Sequence, residues 1–447
     1  AGEAFAALPR YLRVNRLRLP EAAAAQAAQK RLAKDLRLRA LEDAKAGRAG
    51  ADEAAAGVQA DAVVPDLLVL DARARPWLQG LDAVEDGSFV MQDRSSCLAA
   101  LAAGLAPGDV VIDACAAPGS KTAHAVELLK GRGHVIAFER NPGRAASLVA
   151  RLQQITGAQP VRKRRKVFAG SGGGGEAPAA KAQRAEAEEG EDPGEGFQPE
   201  TWMPTPRLGS VIHLQAGGVR VDVRVGDFLA CDPTRPPFSR ARVLIVDPSC
   251  SGSGLPEHHL QGGSSSAPSQ ARLRRLAGFQ RRILAHALRF PGARTVVYST
   301  CSTHREEDED VVAAALQEEP PPPFRVAEAL PWWKSGAPPD AAGAPAEDWA
   351  PLCLRCSPEV HRCRGFFLCR LDRHSSDEAA AQGKEVARVQ PPPPPRRKKR
   401  RRARSSAADG SKGGDKVGAG ALARQTPALA SQGSKRKGKG PGIRITK

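Results

Sequence analysis

Residues 109–122 read DVVIDACAAPGSKT, and this stretch decides the fold. A short apolar run, 110–112, ends in an acid and a loop of small residues, and helix-favouring sequence follows over 121–130. The pattern recurs at once, because the run HVIAF over 134–138 ends at Glu139 and is followed by a helical stretch over 143–155. Alternation of short apolar strands with helices predicts a doubly wound α/β sheet.

The rest of the chain extends this rhythm. Further strands are predicted over 219–225, 243–246, 295–298 and 365–371, and helices over 272–290 and 306–317. Before residue 109, alternation over 12–19 and the apolar run 65–71 predict two strands, and 22–46 reads as a helix rich in charges and strong helix formers. The N-terminal part is therefore expected to be a small α+β region.

The basic charge is concentrated at one end of the chain. The 447 residues carry a net charge of +18. Residues 391–447 contain 17 Lys and Arg and two acidic residues, a net +15, so the preceding 390 residues carry only +3. A polybasic tail of this kind binds nucleic acid non-specifically or acts as a nuclear import signal. No apolar run approaches the ~18 residues of a membrane span.

Two segments are expected to remain disordered, namely 162–208 and 374–447. The first runs from RKRRK through SGGGG into an acidic stretch, and the second contains PPPPP and RRKKRRRAR. Neither can bury enough apolar surface to offset its ordering entropy. The chain begins at Ala1, so we expect its N-terminus to be truncated. The sparse cysteines and the lack of a secretory signal favour a reduced, intracellular protein.

Chemically reactive side chains follow five of the predicted strands. In an open α/β sheet the carboxyl ends of parallel strands form the ligand-binding edge. The small-residue loop 115–121 opens a helix and suits close approach of a ligand, although a plain strand–helix turn is equally compatible with it. An acid 20 residues after Gly119 is typical of ribose binding, which favours a nucleoside cofactor. The residues at these strand ends are Asp113, Cys115, Glu139, Asp227, Asp247, Cys250 and Cys301.

Two cysteines and one acid predict covalent chemistry at this edge. Cys250 and Cys301 each lie just past a predicted strand, and Asp247 precedes Cys250 by three residues. A nucleophilic thiol, a second thiol and an acid beside a nucleoside cofactor indicate attack on an electron-poor ring. Residues 303–306 fit a capping box that would start a helix close to Cys301. The four cysteines over 353–369 lack zinc-site spacing, so no metal is expected.

Six motifs in order resemble the NSUN (Nop/Sun-domain) family of RNA cytosine-C5 methyltransferases. They are LPRYLRVNRL, GSFVMQDRSSCLAA, DACAAPGSKT, VLIVDPSCSGSG, VVYSTCSTHREEDEDVV and GFFLCRL, which together cover residues 8–372 apart from the insertion. The sequence is most similar to the fifth member, which methylates large-subunit ribosomal RNA. Most members have Pro before the second cysteine, where this chain has Ser249.

The resemblance implies a Rossmann-like class I methyltransferase fold that uses S-adenosyl-L-methionine. It implies a partial RNA-docking region over 1–90 and a methyltransferase domain over 91–161 and 209–373. Cys301 takes the place of the nucleophile, Cys250 that of the cysteine that assists product release, and Asp247 that of the acid at the edge of the active site. The implied cofactor-binding residues are Cys115, Ala116, Ala117, Pro118, Gly119, Ser120, Lys121, Glu139, Arg144, Asp227 and Asp247.

The expected activity is formation of 5-methylcytosine in RNA, with large-subunit (28S-type) ribosomal RNA as the expected substrate, in the nucleus and nucleolus. The partner is RNA, with no membrane and no metal. Two alternatives stay open at this point. One is a catalytically inactive RNA-binding or ribosome-assembly protein on the same fold, although both cysteines and Asp247 are present. The other is a cytosine-5 methyltransferase that acts on transfer RNA.

Overall fold

The computed structural model describes residues 8–47, 57–161, 205–256, 269–333 and 348–374. All of them belong to one compact unit, Ala1–Pro394. Most of the predicted insertion and all but the first residue of the predicted tail lie outside the described residues. None of the helices in the described part of the chain is long and apolar enough to cross a bilayer.

The described residues form 14 strands and nine α-helices. The strands are β1 Arg10–Val14, β2 Val58–Ala60, β3 Leu67–Leu70, β4 Phe89–Met91, β5 Val110–Asp113, β6 Gly133–Glu139, β7 Gln159–Pro160, β8 Val211–Ala216, β9 Val219–Val225, β10 Val243–Val246, β11 Thr295–Thr300, β12 Phe324–Ala327, β13 Leu354–Cys356 and β14 Phe366–Arg373. The helices are α1 Ala22–Lys45, α2 Arg75–Leu78, α3 Asp82–Glu85, α4 Arg94–Ala102, α5 Ser120–Leu128, α6 Pro142–Thr156, α7 Gln270–Ala287, α8 Glu309–Leu316 and α9 Pro358–His361.

The large sheet confirms the predicted doubly wound α/β fold. Its strand order is β12-β14-β11-β10-β5-β6-β9-β8-β7, and β13 pairs with β14. The central strands β11, β10, β5, β6 and β9 are parallel. The chain winds from β5 through β6 to β9 on one side, and β10 and β11 lie on the other. The crevice where ligands bind such sheets therefore lies at the carboxyl ends of β5 and β10.

Helices cover both faces of this sheet. On one face, Val111 of β5 packs in a core with Val126 of α5 and Leu152 of α6. On the other face, Ile112 packs in a separate core with Ile283 of α7. Successive residues of a strand point to opposite faces, so a strand buried on both sides reads as a continuous apolar run. This is the reason why the central strands were visible in the sequence.

A second sheet, of order β2-β3-β1-β4, precedes the large one. Leu12 packs against Leu32 and Leu36 of α1 in a core of its own. Tyr11, on the opposite face of β1, belongs to a core of the large sheet. The small α+β region is therefore joined to the large sheet through one face of β1.

Two sequence predictions were wrong in detail. The strand predicted over 12–19 ends at Val14, because the Asn15 side chain turns inward and donates hydrogen bonds to the carbonyl oxygens of Gly87 and Ile155. The capping box over 303–306 does not form. A 3-10 turn, Arg305–Glu307, follows β11, and α8 begins after it without a side-chain cap. Cys301 therefore does not lie at the N-terminus of an α-helix.

A buried ion pair ties β1 to α5. Arg13 is 1% exposed; its guanidinium pairs with the carboxylate of Glu127 and donates a 2.9 Å hydrogen bond to Gln92 Oε1. The Glu127 side chain is also buried. Removing one partner of such a pair leaves the other charge without compensation in a medium of low polarity.

We expect Glu127→Ala to lower the free energy of unfolding by about 3–5 kcal/mol, because Arg13 would remain buried and unpaired. Chemical denaturation followed by circular dichroism measures this change. Glu42→Ala, at an exposed position of α1, is the control and should stay within about 0.5 kcal/mol of wild type. Equal stability of the two variants would show that the Arg13–Glu127 pair does not hold the N-terminal region in place.

Candidate active site

A cavity of about 330 Å³ opens at the carboxyl ends of β5 and β10. A volume of this size is within the range of small-molecule sites. It is lined by Met91, Gln92, Asp93, Ser95, Ser96, Cys115, Ala116, Ala117, Pro118, Gly119, Ser120, Lys121, Asp247, Leu255, Cys301, Arg364 and Phe366. The whole loop 115–121 is therefore in the lining, together with Asp247 and Cys301.

The loop between β5 and α5 is held in a fixed conformation. Gly119 has φ +111°, and a Cβ atom at this position would lie 2.8 Å from Leu148 Cδ1. Only glycine fits such a left-handed and crowded position. The Ala116 N–H donates to the Phe138 carbonyl oxygen of β6, and Arg144 Nη2 donates to the Ala117 carbonyl oxygen at 3.1 Å. The small side chains leave room beside this loop for a ligand.

An ion pair lies at the junction of β5 and β10. Lys121 Nζ is 2.7 Å from Asp247 Oδ2, and Ser299 Oγ donates to Asp247 Oδ1 at 2.6 Å. Burial is the largest influence on the pKa of Lys121 and lowers it, but the charge and hydrogen bond of Asp247, together with Cys301 and Asp113, outweigh burial, so the net shift is upward. Lys121 is therefore positively charged at neutral pH and lies in the cavity lining with Cys301.

The two predicted thiols are in contact. Cys250 Sγ lies 2.9 Å from Cys301 Sγ, although 51 positions separate them in the chain. This distance permits an S–H···S hydrogen bond. The hydrogen bond from Cys250 lowers the pKa of Cys301, and the positive charges of Lys121 and Arg364 act in the same direction. The same hydrogen bond, together with burial, raises the pKa of Cys250. Cys301 is thus the thiolate-forming member of the pair.

Asp113 is a further buried acid next to the site. Its side chain accepts hydrogen bonds from Thr122 Oγ1 at 2.7 Å and from the Cys115 N–H at 3.4 Å. Burial raises its pKa to about 6. Asp113 does not line the cavity itself. Its hydrogen bonds from Thr122 and Cys115 fix the start of the loop 115–121.

The predicted residues Cys250, Glu139, Arg144 and Asp227 are not in the cavity lining, and Cys250 is connected to it through Cys301. Glu139 ends β6, accepts a hydrogen bond from the Asn141 N–H and lies 3.7 Å from the Arg144 guanidinium. The Gly226 N–H donates to the Glu139 carbonyl oxygen, which places Asp227 beside it at the end of β9. Asp227 Oδ1 accepts a hydrogen bond from the Leu229 N–H. Glu139 and Asp227 occupy the same edge of the sheet as the thiols, but β6 and β9 lie two and three strands away from β10 in the strand order.

Eight lining residues were not among the predicted site residues. They are Met91, Gln92, Asp93, Ser95, Ser96, Leu255, Arg364 and Phe366. Five of them belong to the stretch GSFVMQDRSSCLAA and two adjoin or belong to GFFLCRL. The sequence signal was therefore present as flanking motifs, but neither stretch is at the end of one of the parallel strands. Within the described residues no group of three His, Cys, Asp or Glu could hold a metal ion.

The chain is similar to known methyltransferases in sequence and in fold. The family described as 16S rRNA methyltransferase RsmB/F matches residues 100–163, which include the loop of β5 and α5. The mouse 28S rRNA (cytosine-C5)-methyltransferase is 30% identical over 373 residues, which cover 83% of this chain and 64% of the mouse protein. A methyltransferase homologue from Pyrococcus horikoshii has a similar fold, with a TM-score of 0.54 and 20% identity over 83% of this chain and 89% of that one.

Some relatives are considerably longer than the matched region. The chain spans 64% of the mouse protein and 51% of the Arabidopsis thaliana 25S rRNA (cytosine-C5)-methyltransferase NSUN5, to which it is 30% identical over 83% of its own length. It spans 81% of human NSUN5C, which is named as a methyltransferase, and is 32% identical to it over 72% of its own length. The chain therefore belongs to the NSUN (Nop/Sun-domain) family of RNA cytosine-C5 methyltransferases.

Proposed function

We propose that the protein transfers a methyl group to C5 of cytosine in large-subunit ribosomal RNA, with S-adenosyl-L-methionine as the donor. The observation that carries the proposal is the 2.9 Å contact between Cys250 and Cys301 beside the Lys121–Asp247 pair. The relatives from mouse and Arabidopsis are named for this reaction on 28S and 25S rRNA, which supports ribosomal RNA as the substrate.

The residues present fit the proposed cofactor. The cavity beside residues 115–121 is lined by small side chains, and Gly119 gives this loop the left-handed backbone turn that it needs. In the proposal this loop binds the methionine part of the cofactor, Glu139 binds the ribose and Asp227 binds the base. Arg144 holds the loop in place through its hydrogen bond to the Ala117 carbonyl oxygen. When bound, S-adenosyl-L-methionine supplies an electrophilic methyl group on a sulfonium sulfur.

Cys301 opens the reaction in this proposal. C5 of cytosine is a poor nucleophile while the ring is aromatic. Addition of the Cys301 thiolate to C6 forms an S–C6 bond and moves the ring π electrons toward N3, which leaves C5 enamine-like. The Lys121 ammonium stabilises the negative charge that develops toward N3, and Asp247, the acid at the edge of the site, positions Lys121 through their 2.7 Å ion pair. The chain thereby activates C5 for methylation.

Cys250 completes the cycle. After C5 has been methylated, the C5 proton passes to water, the C5–H electron pair restores the ring double bond, and the S–C6 bond breaks to regenerate the Cys301 thiolate. The pKa of Cys250 is raised by its hydrogen bond to Cys301 and by burial, so Cys250 stays a thiol that can donate a hydrogen bond to the departing Cys301 sulfur. It lies in contact with the sulfur that must leave, which suits a role in product release.

The RNA must present an unstacked cytosine to this cavity, because the reacting atoms of a paired base are out of reach. In the proposal, residues 1–90 dock RNA; β4 of this region ends at Met91, which lines the cavity. The polybasic stretch after residue 391 adds phosphate contacts or serves nuclear import. Nuclear and nucleolar localisation would suit a ribosomal RNA substrate.

Cys301→Ala should abolish both methyl transfer and the covalent RNA adduct, because it removes the thiolate that adds to C6 in this proposal. Incorporation of labelled methyl groups into a large-subunit ribosomal RNA fragment measures the activity. Cys231→Ala is a matched control, since this half-buried thiol lies outside the cavity lining and near His286. Substantial methylation by the Cys301 variant would exclude Cys301 as the nucleophile.

Cys250→Ala should accumulate a covalent protein–RNA complex, because addition at C6 remains possible while release of the product is impaired. A denaturing gel shows this complex as a band of reduced mobility. Cys301→Ala,Cys250→Ala should lose the band, which ties it to Cys301. Normal turnover by the single Cys250 variant without a trapped species would remove Cys250 from product release.

Lys121→Met should raise the pKa of Cys301, because it removes a stabilising cation and leaves the Asp247 charge unopposed. One unit of upward shift would slow alkylation by iodoacetamide about tenfold at a pH below the pKa, because only the thiolate reacts. Mass spectrometry of the Cys301 peptide over a pH series measures the rate. Lys130→Met, at the exposed end of α5, should leave the profile unchanged. Equal profiles for both variants would refute electrostatic activation by Lys121.

A further inference from the structure

The two thiols are carried by irregular backbone. No helix or strand includes residues 247–256, after β10, or residues 301–304, after β11. Sheet pairing ends before both loops, so it cannot by itself keep Cys250 Sγ within 2.9 Å of Cys301 Sγ. Other contacts must set this distance.

Glu307 lies behind the two loops as a fully buried carboxylate. Its Oε1 accepts hydrogen bonds from the Ser251 N–H at 2.9 Å and from Gln280 Nε2 at 3.0 Å. Its Oε2 accepts from Ser251 Oγ at 2.5 Å. Hydrogen bonds to a buried carboxylate are stronger than those between neutral groups, so this cluster is rigid.

The cluster holds Cys250 from both sides. Gln280 Nε2, which donates to Glu307, also donates to the Ser249 carbonyl oxygen at 3.0 Å. Ser249 precedes Cys250 and Ser251 follows it. The Gln280 amide on α7 therefore fixes the backbone before Cys250, and the Glu307 carboxylate fixes the backbone after it.

The same cluster reaches the other thiol. Ser251 Oγ lies 3.3 Å from Ser302 Oγ, and Ser302 directly follows Cys301. Tyr298 OH, on the strand that leads to Cys301, donates to the Glu307 carbonyl oxygen at 2.6 Å. Glu307 is thus anchored to β11 through its backbone and to the loop of Cys250 through its side chain.

We infer that Glu307 is a positioning residue for the proposed methyl transfer: it fixes the loop of Cys250 against that of Cys301, so that the Cys250 thiol donates its hydrogen bond to the Cys301 sulfur. This inference rests on the proposed function only for its effect on turnover. The geometry of the thiol pair is a property of the protein alone. The hydrogen bond to Cys301 and burial are the main reasons why a thiolate on Cys250 is disfavoured, and the negative charge of Glu307 acts in the same direction.

Glu307→Gln tests the inference with little change in volume. The amide oxygen can keep the two hydrogen bonds at Oε1, and its NH2 group can donate to Ser251 Oγ once that hydroxyl rotates, but the negative charge that strengthens all three bonds is lost, so the loop of Cys250 is held less firmly. We expect the methylation turnover number to fall about tenfold or more, which corresponds to ~1.4 kcal/mol in the barrier. The KM for S-adenosyl-L-methionine should not change, because the loop 115–121 is untouched.

A second readout needs neither RNA nor methyl donor. With its hydrogen-bond donor displaced, Cys301 should have a higher pKa, so its iodoacetamide alkylation should shift to higher pH. Glu306→Gln, in the same turn, is the matched control and should behave as wild type in both measurements. Four other ionisable groups face the thiol pair, namely Asp247, Lys121, Arg364 and Tyr298. They are the same in the Glu307→Gln and Glu306→Gln variants, so the two alkylation profiles can be compared directly.

The outcomes separate the inference from the proposed function. An alkylation shift in Glu307→Gln with no methylation by wild type would keep the positioning role and reject the methyltransferase proposal. Wild-type turnover and wild-type alkylation in Glu307→Gln would overturn the positioning role. If that variant does not fold, Ser251→Ala replaces it, since it removes only the hydroxyl contacts. A smaller shift in the same direction supports the role, and no shift overturns it.

Discussion

The contact between the two thiols depends on the parallel pairing of β10 with β11. The register aligns Val243 with Thr295 and Val246 with Tyr298, so the last residue of β10 lies level with a residue only two positions before the end of β11. The loops that follow therefore emerge side by side, and residues 51 positions apart in sequence meet at 2.9 Å. Pairing of β10 with β5 on its other side brings the loop 115–121 to the same edge. The proposed donor site and the proposed nucleophile are thus placed together by hydrogen bonding between three strands.

Charge then distinguishes the two thiols. Both are largely buried, and burial alone would raise the pKa of each. Cys301 lies toward the cavity, where Lys121 and Arg364 supply positive charge, and it receives the hydrogen bond from Cys250. Cys250 lies toward the buried carboxylate of Glu307. The same chemical group is therefore favoured as a thiolate in one position and as a thiol in the other, which is the division of labour that covalent attack and product release require.

The sheet could be read from the sequence, because its central strands are buried on both faces and appear as short apolar runs such as 243–246. The positions of the reactive residues at the strand ends could be predicted for the same reason. The side chains that surround the two thiols could not be predicted from the sequence. The run EEDED gives no sign that Glu307 turns inward toward Ser251 while Glu306 does not, and a local pattern suggested a helix cap in its place. Likewise Arg364 and Met91 reach the cavity from distant parts of the chain, and only tertiary packing shows this.

The central claim, cytosine-C5 methylation of large-subunit ribosomal RNA, is tested most directly by bisulfite sequencing of that RNA from cells with and without the protein. The account predicts at least one cytosine that resists conversion in normal cells and converts fully when the protein is removed. Resistance should return with the wild-type protein and stay absent with Cys301→Ala. An identical conversion pattern at every cytosine in the two cell lines would contradict the account.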